Sequence, residues 1–185
     1  SYNNIDPLYD ELVFSLKRWT ILKSDIQNKL SHKSNSIQID LINNFLISNY
    51  LNNQNDKSFY EAEILKNKSL HRYHAIIAMQ KIKKGKYSIG KTILQNSFKD
   101  NNNSIFLKQL IVNLNLKQKN KFLFYFNGKE FEDNLAEVLY LFSGFYFDRN
   151  ETQVSQLLLA LSNYLNPNFA SNYLLAFEQD IKNNK

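Results

Sequence analysis

The chain has 185 residues, four glycines, two prolines, no cysteine and a net charge of +6 at pH 7. This low content of turn residues excludes a β-sandwich or β-barrel, which needs a turn about every 8–12 residues, and the length fits one domain or one compact array of repeats. The lack of cysteine excludes a disulfide scaffold, a thiol nucleophile and any cysteine-ligated metal.

Apolar residues recur at spacings of three and four through the first half of the chain, which predicts amphipathic helices. The predicted helices there span residues 7–30, 37–51, 58–65, 70–84 and 87–99. Pro7 suits the first turn of a helix, and either Asp56 or Ser58 is expected to cap the third helix. Ser69 is expected to cap the fourth helix, and Gly85 to end it in the left-handed conformation.

The second half continues the helical pattern on both sides of one irregular stretch. The predicted helices span residues 104–116, 131–147, 151–165 and 168–182. Residues 117–128 are the least regular part, and within them residues 122–126 resemble a short extended segment packed between helices. Because one short strand cannot form a sheet alone, the prediction is an all-α fold of about nine helices in antiparallel hairpins.

Two stretches of the chain share a pattern of small residues with a common offset of 65 positions. The first stretch has them at Ala78, Gly90 and Ser97, and the second at Ser143, Ser155 and Ser162. Small residues at fixed sites let the two helices of a hairpin approach closely. An offset of 65 corresponds to two repeat units of about 34 residues, so the pattern predicts an internal repeat.

This pattern resembles the tetratricopeptide repeat, in which helix A, a turn and helix B span about 34 residues. The matching positions that would pack the repeats are Ala78, Gly90, Ser97, Ser143, Tyr146, Ser155, Ser162 and Pro167. Over residues 70–180 the chain resembles a divergent alphaproteobacterial type of these proteins. The resemblance implies a right-handed α-solenoid, with repeats over residues 69–185 and an irregular joint at about 117–130. Residues 1–68 would form N-terminal helical hairpins of the same continuous array.

The resemblance implies a non-catalytic scaffold rather than an enzyme. Such a scaffold would capture an extended or helical segment of another protein in its groove, as a subunit or assembly factor of a larger complex. From repeat geometry, the residues expected to line the groove are His74, Lys81, Glu137, Tyr140 and Gly144. The family includes many exported proteins, so it slightly favours the bacterial periplasm over the cytoplasm. No cofactor, metal ion or catalytic residue is expected.

One motif offers an enzymatic alternative. Residues 85–92 match the phosphate-binding P-loop pattern G-x-x-x-x-G-K-[ST], with Lys91 and Thr92 at its end. A P-loop requires a buried strand directly before its first glycine, whereas residues 80–84 read as the charged end of a helix. The repeat gives both glycines a structural purpose, so nucleotide binding is the remote alternative.

A basic run offers a second alternative, the binding of nucleic acid or an anionic membrane. The run consists of Lys81, Lys83, Lys84, Lys86 and Lys91. The chain has 20 lysines and three arginines, which argues against bidentate recognition of phosphate or guanine, where arginine is preferred. A nucleic-acid partner is therefore less expected than a protein. The chain has no window of about 18 apolar residues without charge, so no transmembrane helix is predicted.

The remaining polar groups fit structural roles. His71 and His74 lie three residues apart on one predicted helix, without the further ligands that a metal site needs. The acidic pairs and triplet lie at helix starts or on polar faces, where carboxylates complement the helix dipole. They are Asp10 with Glu11, Glu61 with Glu63, and Glu130 with Glu132 and Asp133. The aromatic residues follow helical spacing and are expected in the core.

Overall fold

Helices account for most of the chain that the structure describes. The structure is a computed structural model, and it describes residues 6–23, 37–116 and 126–168. In these ranges the chain forms eight α-helices and one 3₁₀ turn, and no strand. The helices are α1 (Pro7–Lys23), α2 (Ile37–Tyr50), α3 (Gln54–Lys66), α4 (His71–Lys83), α5 (Tyr87–Asp100), α6 (Ile105–Asn115), α7 (Phe131–Asp148) and α8 (Thr152–Leu165). The predicted all-α class is confirmed.

Three predicted features lie outside the described residues. They are the end of the first helix beyond residue 23, the extended segment up to residue 125, and the helix predicted over 168–182 from residue 169 onward. In the described ranges, the helices begin and end within a few residues of their predicted bounds.

The turn between α4 and α5 is built around Gly85, as predicted. Gly85 has a φ of +79°, a conformation that costs glycine little because it has no side chain. Its N–H donates to the carbonyl of Ile82 at 3.0 Å, and the N–H of Lys86 donates to the carbonyl of Lys81 at 2.9 Å. This pair of hydrogen bonds defines a Schellman motif, which ends α4 and turns the chain directly into α5.

Two asparagines make the same turn elsewhere in the chain. Asn52 after α2 has a φ of +54°, and Asn150 after α7 has a φ of +62°. Each turn carries the same pair of backbone bonds as the Gly85 turn, here Asn52 N–H to Asn49, Asn53 N–H to Ser48, Asn150 N–H to Phe147 and Glu151 N–H to Tyr146. Asparagine tolerates the left-handed region better than most residues with a side chain.

Serine and asparagine side chains cap two of the helix starts, and neither cap was predicted. Ser104 caps α6, because its Oγ accepts a hydrogen bond from the backbone N–H of Leu107 at 3.3 Å. The prediction for Ser69 was wrong: it lies inside the 3₁₀ turn Lys68–Leu70, whose cap is Asn67, and α4 begins at His71.

The predicted caps of the third helix, Asp56 and Ser58, were also wrong. Helix α3 begins at Gln54, earlier than predicted, because the turn at Asn52 leads straight into it. Both residues therefore lie within its first turns. The hydroxyl of Ser58 donates back to the carbonyl of Gln54 at 2.9 Å instead of capping the helix.

The described helices form two compact units. The continuous unit contains α3, the 3₁₀ turn, α4, α5 and α6, and the discontinuous unit contains α1, α2, α7 and α8. In the continuous unit, α4 packs against α3, α5 and α6. Its buried apolar core comprises Ala75, Ala78, Met79, Leu94, Leu107, Leu110 and Leu114. The predicted single continuous array over residues 1–185 stays a prediction.

The discontinuous unit is centred on α7, which packs against α8, α1 and α2. The only tryptophan, Trp19, is fully buried and meets Tyr50 and Phe131 edge to face, with ring centroids 5.9 and 5.8 Å away. Asp6 and Arg149 form an ion pair at 2.7 Å. The hydrogen bond from Arg149 lowers the pKa of the Asp6 carboxyl below its usual value.

A membrane-spanning helix is not found among residues 6–23, 37–116 and 126–168, where every helix is too short or too polar.

Candidate protein-binding surface

The small residue at position 90 brings α4 and α5 into close contact. A Cβ atom on Gly90 would lie 2.6 Å from the carbonyl oxygen of Ala78 and 2.5 Å from the Cγ1 of Ile82. Real Cβ contacts are longer than this, and a helix carbonyl cannot move away as a flexible side chain can. Only glycine therefore fits at this contact between the two helices.

Serines make the corresponding contact between α7 and α8. The Ser143 hydroxyl donates to the carbonyl of Ser155 at 2.8 Å, and the Ser155 hydroxyl donates to the carbonyl of Ser143 at 2.7 Å. The Ser162 hydroxyl donates to the carbonyl of Ala136 at 2.7 Å. All three serines are fully buried. The serine hydroxyls thus satisfy buried backbone carbonyls that have no access to water.

The other predicted packing residues have mixed surroundings. Ser97 and Tyr146 are buried in their units, and burial raises the pKa of the Tyr146 phenol. Pro167 is exposed two residues after α8 ends, where a proline prevents the helix from continuing.

The predicted groove residues divide into buried and accessible side chains. His74 is buried, and its Nε2 lies 2.9 Å from the carbonyl oxygen of Ile64 in α3. Glu137 is fully buried. Lys81 is partly exposed and pairs with Glu61.

Tyr140 is partly exposed, and a Cβ added to Gly144 would meet nothing within 4 Å. Of the five predicted residues, Lys81, Tyr140 and Gly144 thus keep accessible surface. Lys81 belongs to the continuous unit, and Tyr140 and Gly144 to the discontinuous unit.

Residues 85–92, which match the P-loop motif, form the end of the turn after α4 and the first part of α5. Gly85 follows α4 and not a strand, and Gly90 lies inside α5 against α4. The Thr92 hydroxyl donates to the carbonyl of Ser88 within the same helix. The loop of free backbone amides that would wrap a phosphate is therefore not formed by residues 85–92.

The predicted acidic groups carry structural contacts. One oxygen of Asp133 accepts from the N–H of Asn127 at 2.6 Å, and the other accepts from the side-chain amide of Asn166 at 2.9 Å. Glu63 pairs with Lys66 on the same helix. In the described part of the chain, no group of three or more histidines or carboxylates could hold a metal ion.

The basic run lies around the turn after α4. Lys83, Lys84 and Lys86 are exposed there, and Lys91 is partly buried on α5. Exposed lysines at a turn are typical of a solvated surface.

Helix α8 carries an apolar surface that the sequence analysis missed. Its members recur at spacings of three, four and three residues on one side of the helix. They are Val154, Leu157, Leu161 and Tyr164, with 38%, 60%, 44% and 83% of their surface exposed. We call this set the α8 stripe. It lies on the side of α8 away from Ser155 and Ser162, which contact α7.

The α8 stripe is also free of charge. No residue of α8 from Thr152 to Leu165 is a lysine, an arginine, a histidine or a carboxylate. On α5, the positions 65 residues earlier are Ile89, Thr92, Asn96 and Lys99, and all four are exposed. The two hairpins thus share their packing contacts but not their outer surface, which is polar on α5 beyond Ile89 and apolar on α8.

Comparison of the chain with models of protein families, with curated proteins and with solved structures gave no match in any of the three.

Proposed function

We propose that this chain is a non-catalytic scaffold for protein recognition, which binds an apolar helical segment on the α8 stripe. The observation that carries this proposal is the stripe itself, four neighbouring apolar side chains on an uncharged helix face. Apolar patches of this kind on a folded surface are typical of protein-binding sites. A partner helix with apolar residues at spacings of three and four could pack them against the matching positions of the α8 stripe.

The α8 stripe can contribute hydrophobic binding energy. Full burial of one leucine side chain is worth roughly 1.5–3 kcal/mol, and tyrosine is among the residues that contribute most at interfaces. Leu157 and Tyr164 are mostly exposed, so a partner could bury most of their apolar surface. Binding there costs no charge desolvation, because α8 carries none.

We further propose that the scaffold consists of tetratricopeptide-like hairpins, which would stack as a right-handed solenoid. The spacing of the left-handed turn residues inside the two packed hairpins supports this architecture, since Gly85 precedes Asn150 by 65 positions. This interval is about twice the repeat length of 34 residues. The contacts of Gly90 with α4 and of Ser155 with α7 occur at the same 65-residue offset.

Affinity capture with matched variants tests the function. The tagged chain, Leu157→Lys and Gln156→Lys are compared; Gln156 is exposed on the same helix but outside the stripe. We expect a protein retained by the original chain and by Gln156→Lys to be lost with Leu157→Lys, because a lysine would place a charge inside an apolar contact. A titration of that purified protein should show the same order of affinities.

Two outcomes would contradict the proposal. Equal capture by all three chains would mean that the stripe is not the binding surface. Capture that falls steeply with salt and requires Lys83 and Lys84 would instead favour the anionic partner of the alternative hypothesis.

A further inference from the structure

We infer that the α8 stripe binds a second copy of this chain, with the two α8 helices antiparallel about a two-fold axis. The inference rests on the proposed function, since it names the partner of the same surface. Three properties of the stripe support it: the order of its side chains, its lack of charge and its length.

The order of side chains along the stripe is self-complementary. The four positions are symmetric about residue 159: 154 and 164 lie five residues from it, and 157 and 161 lie two residues from it. In an antiparallel pair, Val154 of one copy would therefore face Tyr164 of the other, and Leu157 would face Leu161. A small side chain opposite the largest one, and leucine opposite leucine, gives layers of similar volume, as close packing requires.

The spacing also has the form that helix pairs use. Intervals of three, four and three residues reproduce the a and d positions of a heptad, which form the seam between two packed helices. A two-fold interface brings the same surface of both copies together, so each contact occurs twice.

The charge distribution favours the α8 stripe over charged parts of the surface as a site for binding a second copy. The chain has a net charge of +6, so two copies repel each other overall. The α8 stripe adds no local repulsion to this, because α8 contains no lysine, arginine or acidic residue. An uncharged surface is complementary to itself, whereas a charged surface needs a partner of opposite sign.

The area of the stripe sets the expected strength of the dimer. From Val154 to Tyr164 the helix rises about 15 Å, so the contact is shorter than the stable interfaces that bury about 1,200–2,000 Å². Small interfaces are typical of weak complexes, and we expect a Kd of roughly 10–100 µM.

Sedimentation velocity of the full chain between about 5 and 500 µM tests this inference, since this range brackets the expected Kd. We expect a shift from monomer to dimer, and a Kd weakened by at least about tenfold in Leu157→Lys because both copies carry the change. Gln156→Lys adds the same charge outside the stripe and should dimerise like the original chain.

Cross-linking tests the antiparallel arrangement in a chain that has no natural cysteine. Ala160 is exposed and lies one residue from the symmetry centre, so Ala160→Cys should join two copies through a short bis-maleimide. Gln153 lies six residues from the centre, which separates the two copies of that position by about 18 Å along the helix axis. Gln153→Cys should therefore cross-link poorly.

A monomer at every concentration would overturn the inference, as would a dimer that Leu157→Lys leaves unchanged. A large loss of thermal stability in Leu157→Lys would also overturn it, because the stripe would then be covered by other residues of the same chain. If the chain is monomeric but captures another protein through Leu157, the self-association fails while the proposed function stands. If neither occurs, both fail.

Discussion

Gly90 and Gly144 show how the same residue type serves different purposes in two helices. A side chain on Gly90 would meet the backbone of α4, whereas a side chain on Gly144 would meet nothing within 4 Å. Glycine in a helix costs conformational entropy. At Gly90 this cost is offset by the close approach of α4 and α5, and at Gly144 no packing contact offsets it.

The same substitution should thus have opposite effects at these two positions. Gly90→Ala should lower the free energy of unfolding by about 1–3 kcal/mol through overpacking against Ala78. Gly144→Ala should raise it by about 0.5–1 kcal/mol, because alanine favours the helix. Thermal and denaturant unfolding followed by circular dichroism measures both. Shifts of the two variants in the same direction would contradict the packing described for Gly90.

His71 should give the molecule a pH-dependent stability. Burial lowers the pKa of His71 below its usual 6.5, and the nearby His74 and Arg72 lower it further, while a hydrogen bond with the Ser69 backbone acts in the opposite direction. The unfolded chain then binds the proton more tightly than the folded chain, so stability falls as the pH decreases below about 6.5.

Thermal unfolding at pH 7.5 and pH 5.5 tests this effect. The original chain should lose more stability between these two conditions than His71→Gln, which cannot titrate. The lowered pKa of Asp6 acts in a separate range, below its usual value of 3.8. An identical loss in the original chain and the variant would show that His71 does not contribute.

At the scale of elements, the sequence predicted what depends on local pattern. The helices and the turn at Gly85 followed from apolar spacing and from glycine chemistry. The matching turn at Asn150 was missed because asparagine is common throughout the chain, although its 65-residue offset from Gly85 was a usable signal.

The candidate site could not be predicted in the same way. Residues 157–161 read Leu-Leu-Leu-Ala-Leu, and a segment that is apolar on several sides does not indicate which side meets α7. The burial of His74 likewise depends on α3, which packs against α4. Helix α7 contacts α1 and α2 as well as α8, so more of its surface is covered than a single hairpin would bury. Such long-range contacts have no local signature.

In the molecule as a whole, the two units differ in the side chains that they expose. The continuous unit has polar outer positions on α5 and lysines at the turn after α4, and the discontinuous unit presents the α8 stripe. Each unit contains one closely packed hairpin, α4 with α5 and α7 with α8. We assign recognition to the second hairpin, since only α8 has four apolar side chains on an uncharged face among the described residues.

Photo-cross-linking from a single position tests that assignment most directly. A benzophenone amino acid replaces Leu157 in the stripe or, as the control, Gln156 beside it, and the full chain is irradiated in native extract. We expect a discrete cross-linked species, with another protein or a second copy, from position 157 and little from position 156. No intermolecular product from position 157, or equal products from both positions, would contradict the role of the α8 stripe in protein recognition.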